Sequence, residues 1–200
     1  MPILNPVTKR IVLASQSPRR IELLKKVIPT FEICATHFDE PMPEIFSPEQ
    51  LVMSISMHKA AATAQQIDSG VVIGADSIVV LDGKILGKPQ DRKESYQMLS
   101  SLSGRVHRVY TGFSIISVPE QRSISDYEVT EVKFRQLEPW EIEAYIESGQ
   151  PFDKAGAYGI QDDAAIFVES ITGDYYNVVG LPLTKLFLAL RTILNGEGKN

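Results

Sequence analysis

The chain is short of the residues that build covalent or metal staples: of 200 residues one is cysteine, Cys34, and three are histidine. A lone cysteine excludes an internal disulfide and the thiolate clusters of structural zinc or iron–sulfur centres, and a reducing cytoplasm is the expected setting. His37, His58 and His107 have no metal-ligand spacing among themselves and read as structural or exposed. Long apolar runs are missing too: nothing approaches about 20 residues, and the opening MPILNPVTKR lacks a signal-peptide core, so neither export nor membrane spanning is expected. Positive charge is in deficit, with Lys+Arg 20 against Asp+Glu 25 and a net charge of −5. That balance argues against a nucleic-acid backbone or an anionic membrane as partner. The phosphate loop of common NTPases, the dinucleotide-binding glycine turn and the serine nucleophile elbow are all absent.

What remains is a 44% hydrophobic chain able to build a sizeable core, with α and β signals interleaved. Lys9 to Ala14 reads as a buried strand, and Ser17-Pro18 as the cap and first position of a helix that turns Ile21, Leu24 and Val27 inward. A strand is expected around Phe31 to Ala35, then an acidic, proline-punctuated loop. Ser47 to Gln50 has capping-box spacing before a long helix ending near Ile67. Val71 to Gly74 reads as a strand buried on both faces, and Asp82-Gly83 as the turn of a hairpin involving Ile78 to Leu81. Asp91 and Glu94 open a helix that Gly104 closes, and long β segments follow at Arg108 to Val118 and Ser123 to Gln136. A short helix from Pro139 to Ser148 ends at Gly149; a glycine- and aspartate-rich stretch to Asp163 reads as a functional loop. A strand around Ala165 to Val168 and a helix from Pro182 to Leu194 complete a mixed α/β chain in one piece, with a β-rich middle.

Four places could carry chemistry. Ser15 to Arg20 sits at a strand-to-helix junction, with Arg19 and Arg20 in the first turn, where the helix dipole disfavours cations. A bound polyanion would compensate, cradled by free N–H groups, Ser15, Ser17 and two guanidinium groups; the other reading is arginines extended into solvent. Asp76 and Ser77 fall at the expected carboxyl end of the buried strand, where ligands gather in α/β sheets, although an aspartate there can simply cap a turn. Lys88, between Gly87 and Pro89, offers a point charge or a solvated turn lysine, and Lys59 lies among apolar neighbours on a helix, pointing into a cleft or snorkelling to solvent. In DKAGAYGIQDD, Gln161 offers one donor and one acceptor, which match the N–H and carbonyl of uracil or thymine and mismatch cytosine; its plainer reading is an exposed loop glutamine.

Together LASQSPRR, VIGADSIV, ILGKP, LSGRVHRVYTG, DKAGAYGIQ and YYNVVGLPL, in this order over nearly the whole chain, resemble the Maf family of nucleotide pyrophosphatases, which share a fold with the inosine-triphosphate pyrophosphatases. The resemblance implies a single Maf-like domain over residues 1–200: an elongated, twisted mixed sheet flanked by helices, with two lobes and a central cleft. It implies hydrolysis of a nucleoside triphosphate to the monophosphate and pyrophosphate, with Asp76 as catalytic base. Ser15 falls in the same phosphate-cradle motif, Ser17, Arg20, Lys59 and Lys88 match positions that hold the triphosphate, and Arg19, Ser77 and Gln161 match those that set base preference. The GAYGIQ loop resembles the branch acting on dTTP and UTP rather than the one acting on 7-methyl-GTP. Ser77 departs from the usual threonine, which loosens base selectivity slightly while keeping the hydroxyl. Relatives are often homodimers, so the resemblance allows a homodimer here, although no segment of the sequence identifies an interface.

An aspartate carboxylate is a weak base toward bulk water, whereas a divalent cation lowers the pKa of water by many units. An absolute metal requirement follows, for magnesium or manganese, because only hard oxygen ligands are on offer. Asp76 can bind that ion directly or act as base, with Glu40 or Asp39 assisting. Two other functions stay open: a pyrophosphatase for modified purine nucleotides, and a nucleotide-binding regulator of cell division without turnover. The intact Ser17, Arg20, Lys59, Asp76 and Lys88 set favours an enzyme, since a pure binder has no need of Asp76.

Overall fold

Helix starts carry the strongest local signals. The computed structural model describes residues 9–34 and 47–195. Strand β1 (Ile11–Leu13) leads to helix α1 (Pro18–Lys25), capped by Ser17 with proline in its first turn. Strand β2 (Glu32–Ile33) precedes helix α2 (Pro48–Ala64), where Ser47 and Gln50 form the expected reciprocal capping box. Strands β3 (Gly70–Leu81) and β4 (Lys84–Leu86) form the hairpin, and helix α3 (Arg92–Leu102) follows. Asp91 caps α3 by accepting from the Glu94 N–H at 2.8 Å, while the Glu94 carboxylate reaches one residue further back, to the Gln90 N–H. Then come β5 (Val106–Val118), β6 (Arg122–Phe134), α4 (Pro139–Glu147), three 3-10 turns (Gln150–Asp153, Ala155–Ala157 and Asp163–Phe167), β7 (Val168–Thr172), α5 (Tyr175–Val179) and α6 (Leu183–Asn195). No helix among the described residues is long and apolar enough to cross a membrane.

The strands make one mixed seven-stranded sheet, ordered β2-β1-β3-β5-β6-β7 with β4 paired to β3, and helices flank it. β1 runs parallel to β2 and β3, whereas β4 and β7 pair antiparallel to β3 and β6. Some boundaries differ from those expected. α2 stops at Ala64 instead of near Ile67, and β2 is only two residues long, exposed, with Glu32 turned outward to a bidentate pair with Arg10 at 2.6 and 2.8 Å. In place of a strand at Ala165 to Val168, Asp162 caps a 3-10 turn by accepting from the Ala164 N–H, and β7 begins only at Val168. Helix α5 gave no sequence signal, being five residues long.

The largest departure concerns β3. The sequence suggests a strand ending just before Asp76, yet β3 runs unbroken for 12 residues, so Asp76 and Ser77 lie within it. The parallel ladder with β1 ends at the Leu13–Ile73 pair, and pairing with β4 begins at Val79. Asp76 therefore follows the end of the parallel pairing, although not the end of the strand.

The described residues group into two compact units, one of residues up to Asp76, Thr111–Glu128 and Gly180 onward, the other of Ser77–Tyr110 and Val129–Val179. In the first, α2 rests on bare strand backbone. A Cβ built on Gly74 would overlap the Ser56 carbonyl oxygen and stand 2.8 Å from the Ala60 nitrogen, and one on Gly112 would stand 2.5 Å from the Val52 carbonyl. Glycine in a strand interior sacrifices packing and chain entropy, and here it allows a helix to touch the sheet directly. Val12, Ala14, Ala60 and Val72 fill the contact with small side chains, and a hydroxyl chain from buried Ser56 and Ser114 out to exposed Ser125, at 2.8 Å each, ties α2 to β5 and β6. Substituting Gly74→Ala will lower the unfolding free energy by about 1–3 kcal/mol through overpacking, read by urea denaturation.

The second unit is built around edge-on aromatic contacts. Phe134 meets His107, Tyr158 and Phe167 at centroid distances of 5.0, 4.8 and 6.0 Å. His107 is buried, as a structural reading predicts, and its Nε2 lies 2.8 Å from the Tyr158 hydroxyl. Burial pushes the imidazole down to about 4 from its ordinary 6.5. In the unfolded chain His107 protonates near 6.5, whereas in the folded unit it stays neutral to about 4. The unfolded state therefore binds the extra proton in that window, and stability falls as pH drops through it. Denaturation at pH 7 and pH 5 will show a loss of about 2 kcal/mol from this residue, absent from a His107→Asn variant compared with itself at the two pH values.

Candidate active site

The junction between β1 and α1 places two hydroxyls and two guanidinium groups in six residues, with no acidic residue in the helix's first turn. Ser15 is buried, and its Oγ accepts from the Ser17 N–H at 3.2 Å and from Arg20 Nη1 at 3.5 Å. Ser17 Oγ accepts the Arg20 N–H at 3.5 Å, capping the start of α1. Arg20 Nε donates to the Gly180 carbonyl at 2.9 Å, which fixes the plane of its guanidinium. Burial lowers the pKa of Arg20 from the usual arginine value; Asp76 acts in the opposite sense, and Arg19 adds to the lowering. Two cations at the positive end of a helix dipole, one of them drawn inward, suit an anion more than bulk water.

Lys59 reaches from α2 to β3, where its Nζ donates to Asp76 Oδ1 at 2.6 Å. The side chains are 24% and 18% exposed, so the pair is less screened than surface pairs, which are worth only ~0–1 kcal/mol. The glycine contact at Gly74 makes this reach possible, because Ala60, beside Lys59, is the residue lying on it. Among the described residues Asp76 Oδ2 has no hydrogen bond, which leaves one carboxylate oxygen for a further ligand or proton. Ser15, Ser17, Arg20, Lys59 and Asp76 thus belong to one unit, with Arg20 close enough to feel the charge on Asp76.

Ser77, Lys88 and Gln161 belong to the other unit. Ser77 follows Asp76 on β3, partly buried. Lys88 and Gln161 are exposed and make no hydrogen bond or ion pair among the described residues. Their segments are joined: the Gly156 N–H donates to the Gly87 carbonyl at 2.9 Å, one residue before Lys88. Gly156 (φ 68°) and Ala157 (φ 62°) both take the left-handed conformation, and a Cβ on Gly156 would sit 3.0 Å from Val79. Alanine is strained there, and such strain gathers at functional loops.

Sequence reasoning had not singled out Gly180, Gly156 or Gly87 for these backbone contacts. The signal was present only as glycines inside motifs, because a carbonyl or N–H contact leaves no side-chain trace. Of the expected metal residues, Asp39 and Glu40 lie outside the described residues. Among the described residues no group of three or more histidines, cysteines or carboxylates could cage an ion. One carboxylate oxygen on Asp76 still fits a hard cation of the kind that takes most of its ligands from water and substrate phosphates.

Comparison with known proteins places the chain in a family. The family model described as Maf-like protein matches residues 10–193. A protein of Carboxydothermus hydrogenoformans named dTTP/UTP pyrophosphatase is 50% identical over 184 residues, 91% of this chain and 97% of that relative. Proteins of the same name from Thermoanaerobacter sp. and Clostridium perfringens are 48% and 45% identical, covering 91% and 90% of this chain and 95% of each relative. The solved structure of the Staphylococcus aureus Ham1 protein aligns over 63% of this chain and 72% of its own at a TM-score of 0.45 and 19% identity, too loose to carry an argument. On the family match and these relatives, the chain belongs to the Maf family.

Proposed function

We propose that the chain is a nucleoside triphosphate pyrophosphatase that hydrolyses dTTP and UTP to the nucleoside monophosphate and pyrophosphate. The observation that carries this reading is the Lys59–Asp76 pair within electrostatic reach of Arg20, in a chain whose relatives of that name match it over nine-tenths of its length. Cleavage between the α and β phosphates requires charge neutralisation on the leaving pyrophosphate, a positioned water and an acceptor for its proton. Arg20, Lys59 and Lys88 serve the first need. Ser15 and Ser17 orient phosphate oxygens at the start of α1, where N–H groups and the dipole favour an anion. Asp76 takes the proton on Oδ2, while Lys59 holds Oδ1 and fixes the carboxylate's direction.

Magnesium or manganese would be held by substrate oxygens and by Glu40; were Asp76 Oδ2 to bind the ion instead, it would no longer be the proton acceptor. When bound, such an ion neutralises phosphate charge and eases deprotonation of water. Arg19, Ser77 and Gln161 read the base. The Gln161 amide pairs its N–H with a carbonyl of uracil or thymine and its oxygen with the ring N–H, a match cytosine reverses. A non-catalytic regulator is the weaker reading, because Asp76 paired with a lysine has no use in a protein that only binds.

Pyrophosphate release from a panel of canonical and modified nucleoside triphosphates tests the reading. UTP and dTTP will be preferred with magnesium or manganese, and EDTA will abolish turnover. Asp76→Asn will lower kcat by at least about 10²-fold while nucleotide binding by calorimetry changes little. Wild-type turnover by that variant would sink the role of Asp76, and preference for a modified purine would discard the base assignment.

A further inference from the structure

The stretch that carries Gln161 is closed at its base. Lys154 and Asp162 flank residues 155–161, and their Nζ and Oδ2 atoms lie 3.2 Å apart with side chains only 11% and 20% exposed. Oδ2 is buried and makes no aligned hydrogen bond, so the ammonium beside it is the charge that offsets its burial. The other carboxylate oxygen, Oδ1, accepts from the Tyr145 hydroxyl and from the Ala164 N–H, both at 3.1 Å. The same tyrosine oxygen accepts the Gly159 N–H at 3.3 Å, from the middle of the loop. A Cβ on Gly159 would overlap Asp162 Oδ2 and stand 2.7 Å from Lys154 Cε, so the chain passes directly over the pair. Lys154 has three donors, and they face the Gln150 carbonyl, Asp153 and Asp162. It is thereby occupied within its own unit and is no spare cation for a phosphate.

We infer that Lys154 and Asp162 are positioning residues for base recognition, their buried ion pair clasping the loop so that Gln161, the neighbour of Asp162, presents its amide in one orientation. The inference rests on the reading of Gln161 as the residue that pairs with the base. An amide that turns over exchanges its donor and acceptor, and then matches cytosine as well as it matched uracil. A held loop fixes where that amide is carried, which one glutamine needs if it is to meet the base in a single orientation. The structure points to Tyr145 as the third member, since its hydroxyl joins Gly159 to Asp162.

Steady-state kinetics with UTP and CTP on the full chain test this, for wild type, Lys154→Met, Asp162→Asn, Lys154→Arg and Gln161→Ala. Asp162→Asn keeps the acceptor for Tyr145 and Ala164 while removing the charge, so it reports on the clasp even where Lys154→Met fails to fold. In both clasp variants KM for UTP rises, the UTP-to-CTP ratio of kcat/KM falls about tenfold, and kcat at saturation stays within about twofold. Amide hydrogen exchange across residues 155–161 rises in both, and Lys154→Arg recovers much of the ratio. Folded clasp variants that keep the wild-type ratio, or that lose kcat alone, overturn the clasp if Gln161→Ala abolishes discrimination. If Gln161→Ala leaves the ratio intact, the reading of Gln161 itself falls, and the proposal with it.

Discussion

The direct contact between α2 and the strand backbone at Gly74 and Gly112 is the constraint on which the first unit turns. Helices usually pack on a sheet through a layer of side chains. Here the layer is missing at two points, and the helix comes down far enough for a lysine on its flank to meet a carboxylate on β3 at 2.6 Å. The small side chains of Val12, Ala14, Ala60 and Val72 fill what is left, and the Ser56–Ser114–Ser125 hydroxyls bridge the contact without leaving a buried polar group unpaired. A charged pair is thus mounted on close-packed framework, where its geometry changes little.

The same logic governs the arginine anchor. A guanidinium at a helix start is ordinarily free to swing, but Arg20 is held by the Gly180 carbonyl and by Ser15. Asp76 favours the charged form of Arg20 against its burial, so the guanidinium is held as a cation before any ligand arrives. Polar groups placed in advance need not reorganise when charge develops on a phosphate, which is where electrostatic catalysis gains most.

Much of this was legible in the sequence. Helix starts at Ser17, Ser47 and Asp91 were readable because caps are local chemistry, and the motif residues were readable because their order resembles one family. The continuity of β3 through Asp76 was not, since whether a strand ends depends on partners: β1 stops at Leu13, and the antiparallel pairing with β4 begins further on. Nor was the turn at Asp163–Phe167, where Ala165 to Val168 has strand composition but Asp162 caps a 3-10 turn. The roles of Gly180, Gly156 and Gly87 lie in main-chain atoms, which every residue has, so no residue type could announce them.

The hydrogen bond from Gly156 to Gly87 has a consequence of its own. It ties the turn before Lys88 to the loop that ends in Gln161, so neither side chain can be displaced without some strain reaching the other. Coupling of this kind is reciprocal: whatever one end of a ligand does to the grip on the other end, the other end returns in equal measure. An enzyme wired so would sense a wrong base partly as a poorer hold on the tail, so that selectivity for the base would be felt as affinity for the phosphates.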